Sequence, residues 1–346
     1  HRDLHSFPTR RSSDLITDAE VKTITLDSSR INWGAREPHQ LGTLQITRHT
    51  DRESKRQLVF YELTWSPITE VQKQALLADT ANNEGLPRAS INMSLKEFMN
   101  SAVPDLLIYN GNGYERITEA VAQSVCWMLG NDWASLPQGG THSCDKWAGT
   151  TYASLKPDRH YFVTHSLGSR ITIDTIHNFV MDSQRRSGDV TFRQMAPTIR
   201  DKEFSVFMMA NQLPLLQLGR EAPAVSNEEA AYCTAQGRLA SRRIMQRMNI
   251  VAFSDPNDLL SYPVPADFAA HSIDSRICPG VTNVSLNIAE QKNLFDAASF
   301  ANPMTAHSAY MEDDRVVSLI ANGIARDHVA PLISQRCKWL ETRALN

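Results

Sequence analysis

Short apolar runs of strand length alternate with stretches of helical period along this chain. Val21 to Leu26, Leu41 to Thr47 and Gln57 to Trp65 read as strands, the last of them halted by Ser66-Pro67. Glu70 to Ala81 has a partial helical stripe in Val71, Ala75 and Leu76, and Asn82 to Arg88 reads as a loop. Val103 to Tyr109 is a further apolar run, closed by the turn Asn110 to Gly113. Ile117 to Leu129 predicts an amphipathic helix, and Gly130 to Thr150 an irregular surface excursion or cap. Later, Phe204 to Ala210, Ile250 to Phe253 and Val281 to Ile288 read as strands. Asn211 to Leu218 reads as an apolar loop, either the wall of a site or core, with core preferred. Glu228 to Met248 and Val329 to Leu345 read as helices. So does Glu312 to Ile324, with Glu312, Asp313 and Asp314 in a first turn that suits negative charge. Alternation of this kind predicts an α/β fold: a doubly wound, mostly parallel sheet flanked by helices, in one domain over 16–346.

The most informative stretch runs from Arg159 to Arg170. Tyr161-Phe162-Val163 favours β-structure and stops at Thr164-His165-Ser166-Leu167-Gly168-Ser169, after which Ile171, Ile173, Ile176, Phe179 and Val180 follow a helical pattern. Strand, sharp turn with a central serine, helix is the layout of a nucleophile elbow. Such a turn lifts the Ser166 hydroxyl above the sheet end and aims the free N–H groups of a helix start at the group under attack. Small residues are needed two positions either side of the serine; Gly168 fits and Thr164 departs from glycine. Thr141-His142-Ser143 repeats the Thr-His-Ser letters after Gln138-Gly139-Gly140 in place of a strand, and reads as loop.

Acyl transfer also needs a base, a carboxylate to orient it, and donors for an oxyanion. Past the strand Ile250 to Phe253 stand two acids, Asp255 and Asp258. Both would lie on the rim that carries Ser166, and either is also suited to cap a turn. Downstream lie His271, His307 and His328. His307 sits in a predicted loop, Asn302 to Tyr310, between the last predicted strand and an amphipathic helix, which makes it the preferred base. His165 reads as a packing or supporting residue, because neighbours on a sharp turn point apart.

These segments together resemble an α/β-hydrolase of the esterase/lipase kind, from about Gln57 onward. Thr-His-Ser-Leu-Gly is an elbow variant of several lipases. Asn257-Asp258, an apolar pair and then Pro263-Val264-Pro265 is similar to the acid segment of fungal-type lipases, which favours Asp258 over Asp255. The resemblance implies a Ser166, Asp258, His307 triad in the order usual for that fold, with the Leu167 N–H as one oxyanion donor. It implies ester hydrolysis through an acyl-enzyme, a small-molecule ester or lipid substrate, and no metal. The His-Gly type loop that supplies a second donor is not found between Ile16 and Ser166. Either it preceded Val59 to Pro67 in a native N-terminus or Trp65 or Ser66 takes its place. An acyltransferase on the same triad and a non-catalytic hydrolase-like binding module are the alternatives.

Residues 1–15 resemble the in-frame translation of a short-read sequencing adapter, so they are read as a non-native segment and the native part as truncated, beginning near Ile16. Removing them takes the formal charge from −3 to −4, which argues against a nucleic-acid surface. The 42% hydrophobic content is that of an ordinary globular protein, and no apolar run is long enough for a membrane helix. Five scattered cysteines without a Cys-x-x-Cys pair speak against a zinc-ribbon site and leave thiols or one or two disulfides open. Asn110-Gly111-Asn112-Gly113 lacks the spacing of a dinucleotide fingerprint, and no cofactor is expected.

Overall fold

A computed structural model of the chain describes residues 19–28, 31, 39–51, 54–81, 89–144, 158–185, 196–294, 298–324 and 338–343. The adapter-like segment and the loop Asn82 to Arg88 lie outside them, as does His328. Contacts group the chain into two units, residues 1–75 with 111–147, and residues 76–110 with 148–346.

In the first unit, β1 (Glu20–Leu26), β2 (Gly42–Thr50) and β3 (Gln57–Thr64) form an antiparallel meander. Ile24 and Leu26 of β1 alternate inward and share a buried face with Leu44 and Ile46 of β2. Gly42 has φ +149°, and a Cβ there would stand 2.4 Å from the Thr64 carbonyl oxygen, so this crossing point admits only glycine. Helix α3 (Tyr114–Gly130) buries Ile117, Ala120 and Leu129 on one stripe. The stretch after it is no mere surface excursion. Lys22 donates to the Trp133 carbonyl at 2.8 Å, and Lys22 and Arg48 lie 4.9 and 4.6 Å from the Trp133 ring. Leu136 is buried, and Thr141–His142 pairs parallel with β1 as a fourth strand, β4, where a loop was expected. A Cys126–Cys144 disulfide closes this segment onto α3.

Helix α1 (Pro67–Ala81) follows β3, and the apolar run Val103 to Tyr109 ends a second helix, α2 (Ser90–Asn110). The second unit is built on a five-stranded sheet. Its strands are β5 (His160–His165), β6 (Glu203–Met209), β7 (Arg247–Ser254), β8 (Pro279–Ser285) and β11 (Lys338–Arg343), in the order β11-β8-β7-β6-β5. Strands β5 to β8 run parallel and β11 antiparallel to β8. Val206 to Met209 and Ile250 to Phe253 are continuous buried runs, as strands covered on both faces require. The strand order never reverses. Among the described residues this sheet is therefore wound one way only, and the early strands belong to a separate, mixed sheet rather than to a doubly wound one. Helix α4 (Gly168–Arg185) links β5 to β6, followed by a short helix α5 at 196–200.

Four further expectations are corrected. Asn211 to Leu218 contains a helix, α6 (Leu213–Gln217), because Pro214 in a first turn needs no N–H partner and presets φ; Leu213 and Leu216 are core. Apart from a single 3-10 turn at Ala240–Arg242, Glu228 to Met248 is helical only at α7 (Glu229–Cys233). There the Cys233–Cys278 disulfide and the close pass of Gly237 over the Ala231 carbonyl turn the chain away, and β7 has begun by Arg247. At the C-terminus Lys338–Arg343 is strand, not helix, since pairing with the open edge of β8 satisfies its backbone. Glu312 to Ile324 narrows to α10 (Asp314–Asn322); Asp313 caps it by accepting from Arg315 N–H, and Glu312 precedes it in a 3-10 turn. Between these lie α8 (Ala266–Ser272), the hairpin β9 (Lys292–Leu294) with β10 (Ala298–Phe300), and α9 (Pro303–Ser308).

Candidate active site

Parallel strands bring the turns and loops beyond their C-terminal ends to one rim. Ser166 comes directly after β5 and has φ +55°, the left-handed region that side chains avoid. The turn is held from both sides. Ser166 N–H donates to the Met209 carbonyl at 2.9 Å, and the Ser166 carbonyl accepts from Ser169 N–H at 3.1 Å and Ser169 Oγ at 2.8 Å. A Cβ on Gly168 would stand 3.3 Å from Thr164 Cβ, so with threonine two residues before the serine any side chain two after it would be crowded. The Leu167 N–H, at the mouth of α4, has no hydrogen-bond acceptor among the described residues.

Past β7 the two acids part company. The Asp258 carboxylate faces His307 Nδ1, with both oxygens at 2.9 Å, and its Oδ1 also accepts from Leu260 N–H at 2.9 Å. Asp255, 1% exposed, accepts instead from Asn257 N–H (2.7 Å), Asn257 Nδ2 (2.9 Å), Ile288 N–H (2.6 Å) and Ala289 N–H (3.0 Å). It ties the loop after β7 to the loop after β8 and leaves the neighbourhood of His307 to Asp258.

His307 sits in the last turn of α9 rather than in a loop. Asn302 caps that helix by accepting from Met304 N–H at 3.0 Å, and Pro303 opens it, a start signal legible in Asn-Pro. The His307 Nε2 lies 3.0 Å from Ser166 Oγ. Ser166, Asp258 and His307 therefore form one hydrogen-bonded chain from three distant segments, with the histidine and aspartate side chains almost fully buried. Trp65 and Ser66 belong to the first unit, where the Ser66 carbonyl accepts from Thr69 and Glu70 at the start of α1. His271 is an exposed residue of α8 bonded to the Asp267 carbonyl.

Several supporting groups have little signature in sequence. His165 Nε2 donates to the His307 carbonyl at 2.6 Å, and the two rings meet edge to face at 5.1 Å. Partial desolvation holds the His165 pKa below the ordinary value, opposed by its bond to the His307 carbonyl. Tyr310 is fully buried, and its hydroxyl accepts from Asp255 N–H at 2.8 Å. Burial pushes that phenol well above its usual range. The Phe98 ring stands edge-on to His307 at 5.4 Å. Behind the elbow, buried Asp174 on α4 accepts from Arg170, Arg220 and the Tyr109 hydroxyl, and Arg170 reaches Gln217 at 2.6 Å. The Arg170, Asp174 spacing of four was readable as a helical ion pair; the rest of that cluster is tertiary.

Among the described residues no group of three or more His, Cys, Asp and Glu side chains is arranged to hold a metal ion, and no helix is long and apolar enough to cross a membrane. Comparison with known proteins returns no match to a family model, a curated protein or a solved structure.

Proposed function

We propose that this chain is a serine hydrolase that cleaves carboxylic esters, on a fold of the α/β-hydrolase type. One observation carries the reading: His307 Nε2 lies 3.0 Å from Ser166 Oγ while a carboxylate holds its opposite nitrogen. The buried Asp258 carboxylate accepts Nδ1–H, so the free lone pair of the neutral imidazole points at the serine. Ser166 Oγ attacks the ester carbonyl carbon as its proton passes to His307 Nε2. The developing oxyanion takes the Leu167 N–H as a donor, and the imidazolium is stabilised by Asp258. His307 then gives its proton to the leaving alcohol. Water, deprotonated by the same nitrogen, attacks the acyl carbon, and the acid leaves as the acyl–Oγ bond breaks and that proton returns to Ser166 Oγ.

A fluorophosphonate probe on the full chain, followed by p-nitrophenyl ester hydrolysis, tests the proposal. Labelling and turnover are both expected, and both vanish in Ser166→Ala. Release of free acid, with no transfer to added alcohols, separates hydrolysis from acyl transfer. A folded wild type that neither labels nor turns over ester overturns the reading in favour of a non-catalytic binding module.

A further inference from the structure

We propose that His165 is a positioning residue for His307, fixing the base against the nucleophile through the backbone carbonyl of the base. This role rests on the serine-hydrolase reading, and its origin is the shortness of α9. A helix of six residues has few internal hydrogen bonds, and the carbonyls of its last turn have no partner within it. His307 stands in that last turn. Asn302 secures the N-terminal end of the helix by its cap, and the His165 Nε2–H secures the other end at the His307 carbonyl, 2.6 Å away.

Strand alternation makes this grip possible. His165 and Ser166 are consecutive, so they leave β5 in different directions. The sharp turn at Ser166 then brings its hydroxyl to the imidazole while His165 reaches the main chain of the same residue. Two adjacent side chains thus hold His307 at two points, one on its ring and one on its backbone. The His165 ring adds a third contact, lying edge-on to Tyr310 at 6.2 Å as well as to His307 at 5.1 Å. Tyr310 in turn receives the Asp255 N–H, which places the acid-bearing loop under the same control. A donor at the Nε2 position is what the arrangement requires; the basicity of His165 is not used.

The test compares His165→Gln, which keeps an N–H donor near the Nε2 position, with His165→Met, which keeps length and bulk without a donor. Both are prepared as the full chain, checked for cooperative unfolding, and assayed with p-nitrophenyl butyrate and a fluorophosphonate. His165→Met is expected to lower kcat roughly 10- to 100-fold with KM within about twofold, as displacement of a catalytic group does. His165→Gln is expected to recover most of that loss, and the initial rate of Ser166 labelling is expected to follow kcat. Equal losses in the two variants, a loss confined to KM, or full activity in His165→Met overturns the positioning role. A folded wild type that does not label overturns the hydrolase reading itself, and the proposal with it.

Discussion

Asp255 and Asp258 stand three residues apart, yet their replacement by asparagine should fail in opposite ways. In Asp258→Asn the amide orientation is dictated by a neighbour. Leu260 N–H needs the acceptor now supplied by Oδ1, so the amide oxygen takes that place and the NH2 group takes the place of Oδ2, 2.9 Å from His307 Nδ1. The amide oxygen at the Oδ1 place, equally 2.9 Å from Nδ1, is already taken by Leu260 N–H, so the NH2 group competes for Nδ1 and favours the tautomer with the imidazole proton on Nε2, facing Ser166. The base is then lost with the site otherwise intact. A wrong tautomer of this kind costs on the order of 10³–10⁴ in kcat, or about 4–5.5 kcal/mol of barrier.

Asp255→Asn has a different outcome. The carboxylate now serves four N–H donors, so an amide in either orientation turns its NH2 toward two of them. Each orphaned donor costs about 1–3 kcal/mol. Because Asn257 and Ile288 are only half-buried, the loss should fall near roughly 2–4 kcal/mol, a melting midpoint lower by roughly 10 °C. Steady-state ester hydrolysis and thermal unfolding of both variants provide the check. Asp258→Asn should melt near wild type and be almost inactive, whereas Asp255→Asn should melt early and retain kcat at low temperature. The reverse pattern, or an Asp258→Asn variant within tenfold of wild type, refutes the assignment of the two acids.

Three further outcomes are expected. Ser166→Gly should be more stable than Ser166→Ala by about 1 kcal/mol in chemical denaturation, since only glycine relaxes at φ +55°; equal stabilities would show that the turn is unstrained. Gly168→Ala should lower kcat roughly tenfold by pushing the helix start away from Thr164, and Thr164→Gly in the same chain should restore it; additive losses would refute the contact. Burial lowers the pKa of His160, with Lys202 acting the same way against Asp158; burial also lowers that of His177, against Asp274 and Asp174. The folded state then binds fewer protons than the unfolded one below the ordinary histidine value of 6.5. Stability should be flat above that pH and fall as pH drops from it toward the depressed folded values, and His160→Asn with His177→Asn should flatten the fall; a wild type equally stable at pH 7.5 and 5.5 refutes it.

The strand, turn and helix around Ser166 were legible from local signals: a β-favouring Tyr-Phe-Val run, Gly168 after the bend and then a helical period, with Thr164 the one departure. The order of serine, acid and histidine was legible for a similar reason, since each comes after a recognisable strand. What escaped was set by partners far away in sequence. Lys338–Arg343 carries no pattern that announces an edge strand; it becomes one by pairing with β8. Residues Glu228 to Met248 have helical composition, but a disulfide and the close pass at Gly237 outweigh propensity. His165 and Tyr310 owe their roles to a rim that exists only once β5, β7 and α9 have met. The choice between Asp255 and Asp258, weighed in sequence by neighbouring residues, is expressed in the structure through the backbone donors each carboxylate meets.

The two disulfides have a consequence for handling. Cys126–Cys144 lies within the first unit and Cys233–Cys278 within the second, so each unit has its own covalent closure. Such bonds form and persist where thiols are not continually re-reduced. Oxidising conditions favour the form with both bonds closed, so material for any of these assays should come from a secretory or periplasmic host. Protein from a reducing cytosol would carry open thiols at these four positions. Reductant left in an assay buffer would become an unplanned variable in every melting curve.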